Sequence, residues 1–452
     1  MGDRFPIDEL AERSGEPTSR LADWHDRGLI GNDAGDYGDR DIERVWLIRT
    51  LLERGVTLDD VARTVRDHVD VLDRFIPGWM ERGQRTYTLD DAAARAGLES
   101  AQAARFWQAS GLADDRAPAT DEDLAALHSL RAALDAGFPE NALVQILRVF
   151  GEALGRVAEA ETRLFHVYVH KRLEQEGLTG AELLEKTEAI SASLEQLVEP
   201  TVLYFHRKAL DRALRDDLIT HLAEEAGLWP TIDAAGQVPA AMAFVDLSGF
   251  TSLTSAMGDL AAAEIVDRFA AIVHDTEGHS LGQVVKQIGD GFMLLFPDAR
   301  SALRCALELE RRVSDEPQFP SARLGIHWGP VLYRDGDYVG ATVNLAARVT
   351  AEAQAHEVLI TQAVHDHAVG LDDVGLVPVG ARQLKGIPGA VELYNARALT
   401  AGRPAKQTDP VCHMELTPGE VAARVTIGPV EHVFCSTDCL QLFAAAPDQY
   451  EP

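Results

Sequence analysis

The sequence predicts a multidomain chain of α and α/β parts. Tandem helical modules shaped like helix-turn-helix units come first, then a helical connector, one α/β domain and a small cysteine module. Three observations predict this. Apolar residues recur at helical spacing, with glycine stops, as far as about residue 225. The run Ala241 to Val245 ends on Asp246 and is followed by helical spacing from Leu253 to His274, then by strand-like runs on either side of Gly289-Asp290-Gly291. Three of the 4 cysteines fall after Asp409.

Composition bounds the function. A chain of 452 residues holds three or more domains at ~100–200 residues each. Its 72 acids against 42 bases give a formal net charge of −30, which disfavours non-specific binding to nucleic acid or to anionic membranes. There is no apolar run of ~18 residues, so no membrane span is expected. Met1-Gly2-Asp3-Arg4-Phe5-Pro6 lacks the apolar core of a signal peptide. A cytoplasmic location is expected, and 4 cysteines in so long a chain do not make a disulfide scaffold.

The first module is expected over residues 1–75. Ile7 to Gly15 and Leu21 to Ile30 read as two short helices joined at Gly15, and a third helix starts at Asp39 and stops at Gly55, with Thr57 capping a fourth. This resembles the MerR-type winged helix-turn-helix. DNA binding is nevertheless disfavoured. Residues 1–70 carry 10 arginines, no lysine and 17 acids, a net charge of −7, and Gly38 follows Tyr37 where such a wing carries a base. The pattern recurs over residues 84–154. Thr88-Leu89-Asp90-Asp91 with Gly97 echoes the first helices, Gly111-Leu112 their end, and Asp123-Leu124 with Gly137-Phe138 the third, so we read an internal duplication. This second copy also resembles a regulatory module that precedes cyclase domains in some actinobacterial enzymes.

Residues 155–230 read as a helical connector with a dimer face, broken at Gly177 to Gly180 and interrupted by Pro200. His166, His170, His206 and His221 lie in it, and histidine titrates near neutral pH. Thr231 to Gln237 reads as a linker into the α/β domain.

In that domain Asp246 sits at the tip of a buried strand, and Gly289-Asp290-Gly291 makes a hairpin turn of the Asp-Gly type. Two carboxylates on adjacent turns are a donor set for magnesium. With Arg323-Leu324-Gly325-Ile326-His327, Asp337-Tyr338-Val339-Gly340 and Val343-Asn344-Leu345-Ala346-Ala347-Arg348, the segment 236–398 resembles a class III nucleotide cyclase catalytic domain, a ferredoxin-like α/β fold. The resemblance implies that Asp246 and Asp290 bind two Mg2+ or Mn2+ ions per active site, with the Leu247 carbonyl as a further ligand. It implies that Lys286 and Asp337 read adenine, that Asn344 orients the ribose, and that Arg323 and Arg348 neutralise phosphate charge, with Lys385 a further phosphate ligand. Guanylate cyclases carry glutamate and a small residue at the base-reading positions, so the implied substrate is ATP. Val339 and Trp328 depart from the residue types usual there. In the family the metal aspartates and the base-reading pair come from opposite subunits, which implies a head-to-tail homodimer.

Thr400 to Thr408 reads as a linker, and Cys305 as a core residue. Asp409-Pro410-Val411-Cys412-His413-Met414, Phe434-Cys435, Cys439 and Pro447 to Tyr450 then resemble a YHS domain over 406–452, a small zinc-ribbon-like module. Three cysteines in ~30 residues suit Zn2+ or another soft metal. Cys412, Cys435 and Cys439 are the candidate ligands, and His413, in place of a usual glycine, is a further one. The functional expectation is an adenylate cyclase making cyclic AMP and pyrophosphate, regulated by its flanking modules. The alternative is a metal-responsive transcription regulator using an inactive cyclase domain as a nucleotide sensor.

Overall fold

The computed structural model describes residues 4–31, 35–67, 72, 86–111, 119–227, 237–278, 280–399 and 406–450. Leu112 and the linker positions 231–236 and 400–405 lie outside these. Two compact units form, Met1–Leu214 and Arg215–Pro452.

The first unit is helical and repeats one element order. Helices α1 (Ile7–Ser14), α2 (Thr18–Asp26), α3 (Asp39–Glu53) and α4 (Leu58–Asp67) are followed by β1 (Thr86–Tyr87), α5 (Leu89–Ala96), α6 (Ser100–Ser110), β2 (Ala119–Thr120) and α7 (Asp121–Asp135). Gly15 and Gly97 end α1 and α5 at φ 70° and 74°, where glycine is favoured. The Phe5–Tyr37 bridge stands where β1 pairs with β2 in the second copy. Asp41 accepts from Gly38 N at 2.9 Å, and Asp123 accepts from Thr120 N at 2.8 Å, so both third helices start on the same acidic cap. Each copy closes over its own core, Leu10, Leu21 and Trp24 in one, Ala93, Ala103 and Phe106 in the other.

Helix α8 (Glu140–Phe165) leads through a π-helical turn, His166–His170, into α9 (Lys171–Gln175), and α10 (Gly180–Glu225) follows. The break at Gly177, φ 92°, is as expected. Pro200 does not interrupt α10, which runs through it for 46 residues. A proline removes one backbone hydrogen bond, and on an exposed helix the freed carbonyl stays solvated. Large apolar side chains stand exposed along α10, Leu210, Leu214, Leu218 and Leu222 among them.

The second unit is built on a mixed eight-stranded sheet. Its elements are β3 (Gln237–Leu247), α11 (Phe250–Met257), α12 (Asp259–Glu277), β4 (Gln283–Ile288), β5 (Gly291–Phe296), α13 (Ala299–Asp315), β6 (Phe319–Pro320), β7 (Ala322–Arg334), β8 (Asp337–Val339), α14 (Ala341–Glu352), β9 (Val358–Thr361), α15 (Gln362–Ala368), β10 (Val374–Gln383) and β11 (Ala390–Ala398). The strand order is β10-β11-β9-β7-β3-β5-β4, with β8 on β7, and only β7 and β9 pair in parallel. Side chains of β3 alternate between faces. Ala241, Ala243 and Val245 join the core with α12 and α13, while Ala240 and Met242 pack with Ala346 of α14. The single helix expected over Leu253 to His274 is two, because Gly258 at φ 82° breaks it. No helix among the described residues is long and apolar enough to cross a membrane.

The cysteine segment is not a separate bead. Strand β12 (Gln407–Thr408) pairs with β13 (Met414–Leu416), which pairs with β6 of the α/β domain, Met414 opposite Pro320 and Glu415 opposite Phe319. A hairpin, β14 (Ala423–Ile427) and β15 (Val430–Phe434), and α16 (Thr437–Ala445) complete it. Val411, Cys412, Phe434 and Phe443 belong to the same core as Phe269 and Phe319.

Candidate active site

Register places the first cluster. Asp246 is the penultimate residue of β3, directly opposite Arg323 on β7. The Arg323 guanidinium donates from Nε to Asp246 Oδ2 at 3.0 Å and from Nη2 to the same oxygen. Asp290 lies at the turn between β4 and β5, and Gly291 beside it is a close approach: a Cβ there would stand 2.8 Å from Val245 O and 3.2 Å from Asp246 Oδ1. Any side chain at 291 would push the two acids apart. Burial first, then the Asp246 charge, pushes Asp290 up to about 6.

Beyond Asp246 the chain turns through Ser248 and Gly249 into α11. Gly249 takes φ 73°, a conformation that favours glycine, and Ser248 N donates to Ser321 O at 2.8 Å. Ser248 Oγ is buried without a hydrogen-bond partner among the described residues. Two half-buried acids, beside an orphaned hydroxyl, make an oxygen donor set that fits a divalent cation.

The second cluster lies on β4 and β8. Lys286 Nζ bonds to Asp337 Oδ2, and Tyr338 N donates to Asp337 Oδ1 at 2.8 Å, so the carboxylate is oriented from both sides. Gln283 Nε2 donates to the Tyr338 hydroxyl at 3.1 Å and ties the β8 hairpin to β4. Asn344 and Arg348 stand one turn apart on the exposed face of α14, with Ala346 and Val349 on its buried face. Lys385 is exposed in the loop joining β10 to β11. Trp328 packs at 5.2 Å from His367, and Val339 is exposed. Burial pushes His327 down to about 4, so it is neutral at physiological pH and serves as a fixed partner of Thr361 Oγ1 at 2.8 Å.

The three C-terminal thiols converge. Cys412 Sγ lies 3.5 Å from Cys435 Sγ, which lies 3.6 Å from Cys439 Sγ. The group within reach of all three is Asp409, and the four ligand atoms lie within 4.8 Å of one another. Asp409 is fully buried and accepts from Val411 N and Cys435 N, each at 2.8 Å. The neighbouring Cys412 and Cys435 thiols hold Cys439 well below the ordinary thiol range. His413 is not in this group. Its imidazole lies against Gly249. Asp409 was missed in the sequence, where its only signal is an acid three residues before a cysteine. Cys305 is buried in the α/β core, and burial pushes its thiol up to about 11.

A mixed sheet with an acidic pair at one strand tip and a lysine–aspartate pair on its hairpins defines a nucleotide cyclase catalytic fold. Residues 233–396 match the adenylate and guanylate cyclase catalytic domain, and residues 33–218 match the adenylate cyclase regulatory domain. An adenylate cyclase of Streptomyces coelicolor is 31% identical over 312 residues, 67% of this chain and 77% of its own. A pH-sensitive adenylate cyclase of Mycobacterium tuberculosis is 26% identical over 363 residues, 78% of this chain and 88% of its own. A solved structure from a study of Trypanosoma brucei adenylate cyclases in their monomeric state is 21% identical and covers 37% of this chain and 91% of that one, with a TM-score of 0.34. The chain belongs to the class III adenylate cyclases, which convert ATP to cyclic AMP and pyrophosphate.

Proposed function

We propose that ATP is cyclised at two equivalent sites, each shared between two copies of the chain in a head-to-tail dimer. The observation that carries this reading is that the functional groups form two self-contained sets on different strands, Asp246 bonded to Arg323 on β3 and β7, and Lys286 bonded to Asp337 on β4 and β8. Lys286 donates to the adenine ring and Asp337 accepts from its amino group. Asn344 orients the ribose. Arg348 and Arg323 stabilise charge growing on the phosphate oxygens, with Lys385 a further contact to the triphosphate. Arg323 uses Nε and Nη2 on Asp246 and keeps Nη1 donors for phosphate. Two Mg2+ or Mn2+ ions held by Asp246, Asp290 and the Leu247 carbonyl would supply acidification of the 3′-hydroxyl and neutralisation of the triphosphate. No residue of the chain has to act as a nucleophile.

The exposed leucine row of α10, at spacing four, suits a helix that packs on its partner's equivalent. We read the first unit as MerR-like helix-turn-helix modules put to regulatory rather than DNA-binding use, and the last as a YHS-type, zinc-ribbon-like module. Tetrahedral thiolate coordination at ~2.3 Å places sulfur atoms about 3.8 Å apart, close to the spacings of 3.5 and 3.6 Å seen here. Cys412, Cys435 and Cys439 would hold Zn2+ or another soft metal, with Asp409 placed to complete the set.

Complementation tests the shared site. Asp290→Ala and Arg348→Ala chains should each be inactive alone, and mixing them should restore turnover at one of the two sites of each mixed dimer. Mixtures that remain inactive while forming mixed dimers contradict the shared site.

A further inference from the structure

The C-terminal module reaches the catalytic turn. His413 sits between Cys412 of the thiol cluster and Met414 of β13, and takes φ 59°, a left-handed conformation that favours glycine. A histidine there is held against its backbone preference. Its ring is aimed at the turn after Asp246: a Cβ built on Gly249 would lie 2.6 Å from His413 Cγ and 2.8 Å from its Cδ2. The imidazole therefore packs against the one residue whose left-handed φ turns β3 into α11.

His413 is fixed from both sides. His413 N donates to Asp409 O at 2.9 Å, and Asp409 itself anchors Val411 and Cys435. On the other side β13 pairs with β6, and Ser321, next after β6, accepts from Ser248 N at 2.8 Å. His356 clamps the same junction, with Nδ1 at 3.0 Å from Glu310 of α13 and Nε2 bonded to Glu415 of β13. Lys406 Nζ donates to Glu316 O at 2.9 Å. Strand pairing, a shared core and these polar ties hold the module on the segment that also anchors the turn.

We propose that His413 is a positioning residue for the cyclase reaction, its imidazole holding the Ser248-Gly249 turn in the geometry that presents Asp246 and the start of α11 to substrate. The C-terminal module is thereby a structural part of the catalytic centre. This rests on the reading of Asp246 and Asp290 as the metal-binding pair.

The test uses the full chain with His413→Gly, which removes the ring and supplies the residue favoured at this φ. The thermal midpoint should stay level or rise. Cyclic AMP formation at saturating ATP should fall at least fivefold, and the Mn2+ concentration for half-maximal rate should rise severalfold. His413→Phe, which keeps a flat ring on Gly249, should recover most of both. Wild-type turnover and Mn2+ dependence in His413→Gly overturn the proposal. Asp290→Ala is assayed beside it. If Asp290→Ala abolishes turnover and His413→Gly does not reduce it, only the positioning role fails. If Asp290→Ala is active, the reading of the metal pair fails and takes the proposal with it.

Discussion

Lowering the pH should uncouple metal from the active site at a pH set by Asp290. Its carboxyl is pushed up to about 6, first by burial and then by the Asp246 charge, so it takes up a proton below that pH. A cation must displace that proton. Each pH unit below the folded pKa then costs about tenfold in apparent affinity, or ~1.4 kcal/mol. An unperturbed aspartate would leave affinity flat down to about pH 5. The assay is Mn2+ binding to the full chain by electron paramagnetic resonance of the free ion, between pH 5 and 8. The half-saturation point should be level above pH 7 and rise about tenfold from pH 7 to 5. Stability carries the opposite sign. Because the folded pKa lies above the unfolded one, the metal-free chain gains stability from this group at low pH and loses it as pH rises from about 4 through 6. Asp290→Asn should therefore raise the unfolding free energy of the metal-free chain at pH 7.5, by on the order of 1 kcal/mol once the half-exposed setting is allowed for, and its melting point with it. A half-saturation point unchanged from pH 7 to 5, together with a melting point lowered by Asp290→Asn, would refute the reasoning.

Three further outcomes are expected. Lys286→Glu with Asp337→Ser should cut kcat/KM for ATP by about 10²-fold and raise turnover of GTP, measured as cyclic GMP, because the pair proposed to read the adenine edge is replaced. The full chain should retain about one Zn2+ per copy after dialysis, by elemental analysis; Cys435→Ser should lose it and change the rate of cyclic AMP formation, and a rate unaltered by both the substitution and chelation would separate the thiol cluster from regulation. Phe319 is fully buried in the core shared by the α/β domain and the C-terminal module, so Phe319→Ala should cost about 3–5 kcal/mol in denaturant unfolding of the full chain.

The acidic cluster was legible because its logic is local. An apolar run delivers Asp246 to a strand tip, and the Asp-Gly turn follows from backbone preference, so both appear in the sequence as they do in the fold. Lys286 and Asp337 were legible only through resemblance, since 51 positions separate them and a hairpin brings them together. What escaped reading is non-local. Phe319-Pro320 looks like the end of a loop, and nothing in its pattern announces that it pairs with Met414 and Glu415. The module expected after the Thr400 to Thr408 linker pairs with and shares the core of the catalytic unit. His413, standing where the resemblance has a glycine, is expected as a further ligand, yet its ring lies against Gly249, and Asp409 takes the place beside the sulfur atoms. Pro200 is the opposite case: a proline locally favours a helix break, and a long exposed helix absorbs the single missing hydrogen bond.

The central claim is that this chain cyclises ATP at the Asp246–Asp290 pair. Its most direct test is the rate of cyclic AMP formation from ATP and Mn2+ by the full chain, with Asp290→Ala purified and assayed alongside. The account predicts cyclic AMP and pyrophosphate in equal amounts from the natural sequence and none above background from the variant. Equal rates from both, or product from neither in the presence of Mn2+, would contradict it.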